Sequence, residues 1–166
     1  MLTAKNLPFE YNPIDIVENI FTSQSFDLDR QNINEVAIEI QGKWNNMVLH
    51  FAWESNLKCL LLSCIMGIET KIEDRSKIFE LMAIANGELW CGCFSYWPEQ
   101  NMPLFKHSIF LDNDDEENFE NKLRQMIDIA VKECERMYPI FKVVLTKGMS
   151  PQQAFYPMMM ETIGQA

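Results

Sequence analysis

Two thiols, Cys91 and Cys93, flank a single glycine, and the chain's two histidines are His50 and His107. On an extended segment side chains alternate, so both sulfurs would leave the same face. Joined by an imidazole, they would supply the thiolate and nitrogen ligands that zinc takes about four at a time. Neither histidine has local ligand spacing, however, and Cys-x-Cys is not the Cys-x-x-Cys of thioredoxin-type redox centres. Cys93 and His107 facing each other across a hairpin would make a nucleophile and a base. No orienting third group or oxyanion donor accompanies them in the sequence. Cys59 and Cys64 lie five positions apart and so fall on opposite faces of one strand. The expectation is that the thiols are buried or half-buried, free and without metal.

The run Asp112–Glu117 (DNDDEE) gathers acids, but no glycine follows in the position that a calcium-binding EF-hand loop needs. Acids at the start of a helix complement its dipole, and that is the expected role. Phosphate-cradling glycine loops, the nucleophile elbow and the paired-histidine zinc motif do not occur, and six glycines leave little material for such loops. The reading is therefore of a non-enzyme with no catalytic residues and no cofactor.

These groups are positioned by the stretch Asp74–Trp97, which reads as one helix running into one strand. Ile78, Met82, Ala85 and Leu89 repeat at helical spacing, with Phe79, Ala83 and Trp90 as a second apolar stripe beside them. A helix apolar over more than half its circumference is expected to be deeply buried. Lys77, Glu80, Gly87 and Glu88 mark the narrow solvent side, and Asp74 is the expected N-cap. Asn86 falls in the apolar arc. A buried amide needs partners, here expected to be a neighbouring backbone segment. After Trp90 the period becomes two: Cys91, Cys93, Ser95 and Trp97 share one face, and Gly92, Phe94 and Tyr96 the other. Gly92 is expected to allow close approach of helix and sheet. A loop leads to a second strand, Pro103–Leu111, completing a hairpin.

The remainder follows in order. Residues 1–12 read as an irregular arm. Asn12-Pro13 opens a helix with Ile14, Val17, Ile20 and Phe21 inward, and Phe26–Asp29 reads as a short strand. Val36, Ile38 and Ile40 begin a meander, continued by Trp44–Glu54 and by Lys58–Ile68. The last is almost continuously apolar, the pattern of a strand buried on both faces. The next helix carries Phe119, Leu123, Met126, Ala130 and Cys134 on one face and is expected to break at Tyr138-Pro139. A shorter helix, Pro139–Lys147, then stops at Gly148. Ser150-Pro151-Gln152-Gln153 is a capping box opening the last helix, which Pro157 is expected to kink or shorten. The fold class is α+β, an antiparallel sheet with helices packed on it and two extra C-terminal helices. It reads as a single domain over 1–166, with an α+β core at 12–138 and the C-terminal helices at 139–166.

With 166 residues the chain can bury a sizeable core. Its 24 acids against 14 bases give a net charge of −10, which argues against nucleic acid or an anionic membrane as partner. No apolar run approaches the ~20 residues of a membrane span. The first residues lack the apolar core of a signal peptide, so the expectation is a cytoplasmic protein with reduced thiols.

The segments NPIDIVENI, EVAIEIQGKWNNMVLHFAW, IFELMAIANGELWCGCFSYW, LFKHSIFL and ECERMYPIFKVVLTKGMSPQQAF, in this order, resemble the YbjN family of bacterial sensory-transduction regulators. The likeness spans residues 12 to the C-terminus. It implies a fold similar to type III secretion chaperones, a bacterial cytoplasmic setting and no catalytic residue to carry over. Such chaperones are small, acidic and commonly dimeric, and hold an extended partner segment on apolar surface. The resemblance thus implies a homodimer and a protein partner. The two helices after Tyr138 distinguish this chain and would lie where that surface is offered.

Taken together, the sequence reads as a protein-binding regulator or chaperone-like adaptor. Trp97, Met102, Met158 and Met159 are the candidate contact residues. The alternative is a small-molecule or metal-binding sensor using Cys91, Cys93, His50 and His107.

Overall fold

Asn12 caps the first helix, its Oδ1 accepting from the Ile14 amide at 3.0 Å, and Pro13 takes the first helical position, where a missing N–H is harmless. The structure, a computed structural model, describes residues 12–22, 26–111 and 115–163, so the N-terminal arm and Asp112–Asp114 of the acid run lie outside the described residues. Helix α1 (Pro13–Thr22) is followed by β1 (Leu28–Asn32), β2 (Glu35–Gln41), β3 (Asn46–Glu54) and β4 (Cys59–Ile65). Then come α2 (Arg75–Glu88), β5 (Cys93–Trp97), β6 (Met102–Phe110), α3 (Glu116–Lys147) and α4 (Pro151–Ile163). Among the described residues the strands form one antiparallel sheet in the order β1-β2-β3-β4-β6-β5. This is the expected α+β class, with two helices at the C-terminal end.

The strand phases follow the sequence alternation. Val36 and Ile38, Leu49 and Phe51, Leu62 and Cys64, and Phe105 are fully buried and stand opposite one another in register, and Leu60 is fully buried opposite Trp53 and Ile109. That face is covered by helices. Phe21 of α1 meets Phe51, with ring centroids 6.3 Å apart, and Phe141 of α3 meets Phe94, 5.8 Å apart. Burying each such side chain contributes about 1.5–3 kcal/mol. The C-terminal helices lie in this same layer: α3 packs on β4 and β6, and α4 packs against α2 and α3. Among the described residues the opposite sheet face is left open.

Several expectations are corrected. Strand β4 is buried on one face only: Leu60, Leu62 and Cys64 are covered, while Cys59, Leu61, Ser63 and Ile65 are half-buried. Helix α2 buries Ile78, Leu81, Met82 and Ala85, but its second apolar stripe faces outward. Phe79 is 46% exposed, Ala83 is exposed, and Trp90, beyond the helix, is fully exposed. Asp74 makes no cap hydrogen bond, because a 3-10 turn at Ile72–Asp74 precedes the helix. Its carboxylate stands 3.4 Å from Lys77 instead. Gly92 serves strand contact rather than helix contact. At φ +71°, a Cβ there would lie 2.3 Å from the Phe105 ring and 2.8 Å from the Lys106 carbonyl on β6.

Asn86 does what a buried amide must. Its Nδ2 donates to the Phe94 carbonyl at 3.0 Å and its Oδ1 accepts from the Phe94 amide at 2.7 Å, tying the last turn of α2 to β5. At the other end of the hairpin, the Thr70 hydroxyl lies 2.6 Å from the Tyr96 hydroxyl and donates to the Asn101 carbonyl at 2.8 Å.

Helix α3 does not break at Tyr138-Pro139 but runs through it for 32 residues. Proline in a helix leaves the carbonyl four residues earlier without its donor. That carbonyl belongs to Glu135, and the Trp44 indole N–H donates to it at 3.1 Å. The Glu135 carboxylate meanwhile accepts from the Lys43 amide at 2.9 Å. The β2–β3 turn thus docks on the helix where proline has freed an acceptor. Asp115 caps α3 by accepting from the Asn118 amide at 2.9 Å, with Glu116 and Glu117 in the first turn. The Ser150–Gln153 capping box forms with both contacts at 3.3 Å, and α4 continues through Pro157 to Ile163.

Two expected outcomes follow from these pairings. Asn86→Leu strands both polar groups of Phe94 and should lower urea-unfolding stability by roughly 2–4 kcal/mol. A loss under about 0.5 kcal/mol would show that water replaces the amide. Trp44→Phe should cost about 1 kcal/mol in the native chain but less in a Pro139→Ala background, where the helix supplies its own donor. Equal losses in both backgrounds would disconnect the indole from the proline.

Candidate functional site

On the open face, Asp29 stands opposite Ala37, Ala37 opposite His50, His50 opposite Ser63, Ser63 opposite Lys106, and Lys106 opposite Cys93. Directly paired residues project from the same face, so one row crosses the whole sheet. The row on one side of it is Glu39–Val48–Ile65–Leu104–Ser95, and on the other Glu35–Ala52–Leu61–Ser108. A line of polar side chains is therefore flanked by apolar ones at the sheet centre. The β5–β6 connection rises beside them. Together they enclose a hollow of about 570 Å³, lined by Ala37, Val48, His50, Ser63, Ile65, Trp97, Pro98, Glu99, Leu104 and Lys106 among others.

His50 and Lys106 supply the hollow with nitrogen. His50 Nε2 lies 4.0 Å from the Glu35 carboxylate. Lys106 is half-buried and forms no ion pair among the described residues. Ser63 adds a hydroxyl between them. Neither Ser63 nor Lys106 stood out in the sequence as a site residue. The available signal was their phase: each is polar within an apolar strand and falls on the face opposite the core.

A second, shallower hollow of about 280 Å³ lies where β5 begins, lined by Leu61, Cys91, Gly92, Cys93, Lys106, His107 and Ser108. Cys91, Cys93 and His107 all line this hollow, but Cys93 belongs to the open face and His107 to the covered one, while His50 belongs to the larger hollow. Among the described residues, no three His, Cys, Asp or Glu side chains are grouped so as to hold a metal ion. The five thiols are all free. Cys91 and Cys93 are exposed rather than half-buried, because β5 is an edge strand and Cys91 precedes it. Cys64 and Cys134 are buried. Burial, and then the neighbouring Cys64, push the Cys134 thiol well above its ordinary range.

The candidate contact residues separate into two groups. Trp97 is 39% exposed at the wall of the large hollow, with half-buried Met102 opposite it in register. Met158 and Met159 are half-buried on α4 in the helical layer, where Met159 Sδ accepts from Arg136 Nη1 at 3.1 Å. No helix of the described residues is long and apolar enough to cross a membrane.

His107 points from β6 toward the covered face, and its Nδ1 is buried with no hydrogen-bond partner among the described residues. Burial lowers its pKa below the ordinary 6.5. In the window beneath that value the unfolded chain binds the proton more readily than the fold does. Stability should therefore fall as pH drops below about 6.5 and be fully restored above it. Urea midpoints for His107→Gln should lose part of the decline that the native chain shows between about pH 7.5 and pH 5.5. Identical declines would place the titration elsewhere.

The YbjN family model, described as "Putative bacterial sensory transduction regulator", matches residues 13–142, from the start of α1 through all of the sheet and into α3. No curated protein matches the chain. With the matched span covering the α+β core and most of the long helix, this chain belongs to the YbjN family.

Proposed function

We propose that the protein is a non-enzymatic, cytoplasmic regulator that works by holding a partner protein on its open sheet face, as a chaperone-like adaptor does. The observation that carries this reading is one-sided packing. Helices cover one face of the sheet, while Val48, Leu61, Ile65 and Leu104 lie half-buried or beside a hollow on the other. Contiguous apolar surface framed by polar residues is the usual mark of a binding face. Strand β6 also extends past β5, since pairing with β5 ends at Lys106 while β6 continues to Phe110. An extended partner segment finds an edge there for main-chain pairing. The family's regulatory description supports a role exerted through a partner.

A second copy of the chain is the proposed cover for the outward Phe79 and Ala83 of α2 and for Trp90 just beyond it. Sedimentation of the native chain and of Phe79→Glu should show a dimer that the variant weakens by about tenfold or more.

The partner face is tested in living bacteria by photocrosslinking from single positions. A crosslinking residue at Ala52 on the open face should give a discrete protein adduct that Leu61→Arg reduces by about tenfold. The same residue at Gln125 on α3 should give none. Equal adducts from both positions would sink the assignment.

A further inference from the structure

We infer that the hollow on the open sheet face is a binding site for a small carboxylate bearing an apolar tail. Its volume of about 570 Å³ is that of a small-molecule pocket, which runs to roughly 300–1,000 Å³. The polar groups on its floor are ordered by the register. His50, Ser63 and Lys106 occupy adjacent positions on β3, β4 and β6, with neighbouring Cβ atoms about 5 Å apart. All three are half-buried, and Lys106 forms no ion pair among the described residues. A half-buried cation without a partner is matched by an anionic ligand group, with the serine hydroxyl and the imidazole beside it to donate hydrogen bonds.

The rest of the ligand is defined by what flanks that row. Val48, Ile65 and Leu104 form the adjacent apolar row, and Trp97 walls the same side. A head group over Lys106 therefore leaves its tail over aliphatic side chains. The charge must be single. One permanent cation faces the ligand, Glu99 lines the hollow, Glu35 stands 4.0 Å from His50, and the whole chain carries −10. A second negative charge would meet repulsion without a matching cation. These features select a monocarboxylate over a phosphate ester.

The site needs no partner protein. Its failure would leave the partner-face reading standing, because the test uses the chain alone. Calorimetric titration of the full chain with decanoate, decanol and decyltrimethylammonium isolates the head group at constant tail, and amide shifts locate the ligand. Decanoate should bind about tenfold or more tighter than decanol, with shifts centred on Ser63 and Lys106. Lys106→Met should bring decanoate to the affinity of decanol while leaving decanol unchanged. Ala37→Phe, which fills the hollow, should weaken both. If Lys106→Met does not fold, the native decanoate-to-decanol ratio together with Ala37→Phe decides. Equal affinity for acid and alcohol, preference for the ammonium, shifts confined to the helical layer, or no binding at about 1 mM would overturn the assignment. A leucine tripeptide with a free C-terminal carboxylate that outbinds both decanoate and its own amide would assign the site to a partner's chain end. That outcome overturns the small-molecule ligand.

Discussion

Successive side chains of a strand leave opposite faces, and among the described residues helices cover one of them. Phe51, Leu62, Cys64 and Phe105 meet α1 and α3 and are sealed from water. Their neighbours His50, Ser63 and Lys106 necessarily point the other way. A slip of one residue in any strand would exchange the two sets. The register that buries the core is therefore the same constraint that assembles the polar row, and neither can change without the other.

The hairpin edge completes the hollow, and hydrogen bonds pin it at both ends while Phe94 anchors it in the core. Asn86 holds both main-chain groups of Phe94, fixing where β5 begins. Thr70 holds Tyr96 and the Asn101 carbonyl, and Arg75 stands 5.6 Å over the Tyr96 ring while donating to Asn101. Asn101 sits in the left-handed region at φ +52°, which lets the turn close beneath these contacts. With both ends pinned, Trp97 is held at the wall of the hollow and Cys93 beside Lys106.

The helical layer solves a separate problem. A proline in a 32-residue helix would leave a carbonyl unpaired, and the Trp44 indole reaches it from the β2–β3 turn. One interaction thus keeps α3 continuous and anchors the turn against it. The continuous helix lies across β4 and β6 on the covered side and α4 packs against α2 and α3, so neither described helix takes up the open face. A member of the YbjN family built this way keeps its stability and its exposed surface on opposite sides of one sheet.

What the sequence determined by itself was local: the caps at Asn12 and Ser150, the alternation in β2, β3 and β5, the need of Asn86 for backbone partners, and the family likeness. Each depends on contacts within a few residues or on a repeating period, and both are readable along the chain. What only the tertiary structure decided was which apolar stripes would be covered. Phe79 and Trp90 look like core from spacing alone, yet Phe79 meets the Tyr96 ring edge-on and stays 46% exposed, and Trp90 is fully exposed. Pro139 looks like a helix break until the Trp44 indole, 91 positions from the freed Glu135 carbonyl, replaces the lost donor. Ser63 and Lys106 were visible as polar residues in apolar strands, but their convergence depends on β4 pairing with β6, an ordering of strands that hydrophobic period does not encode.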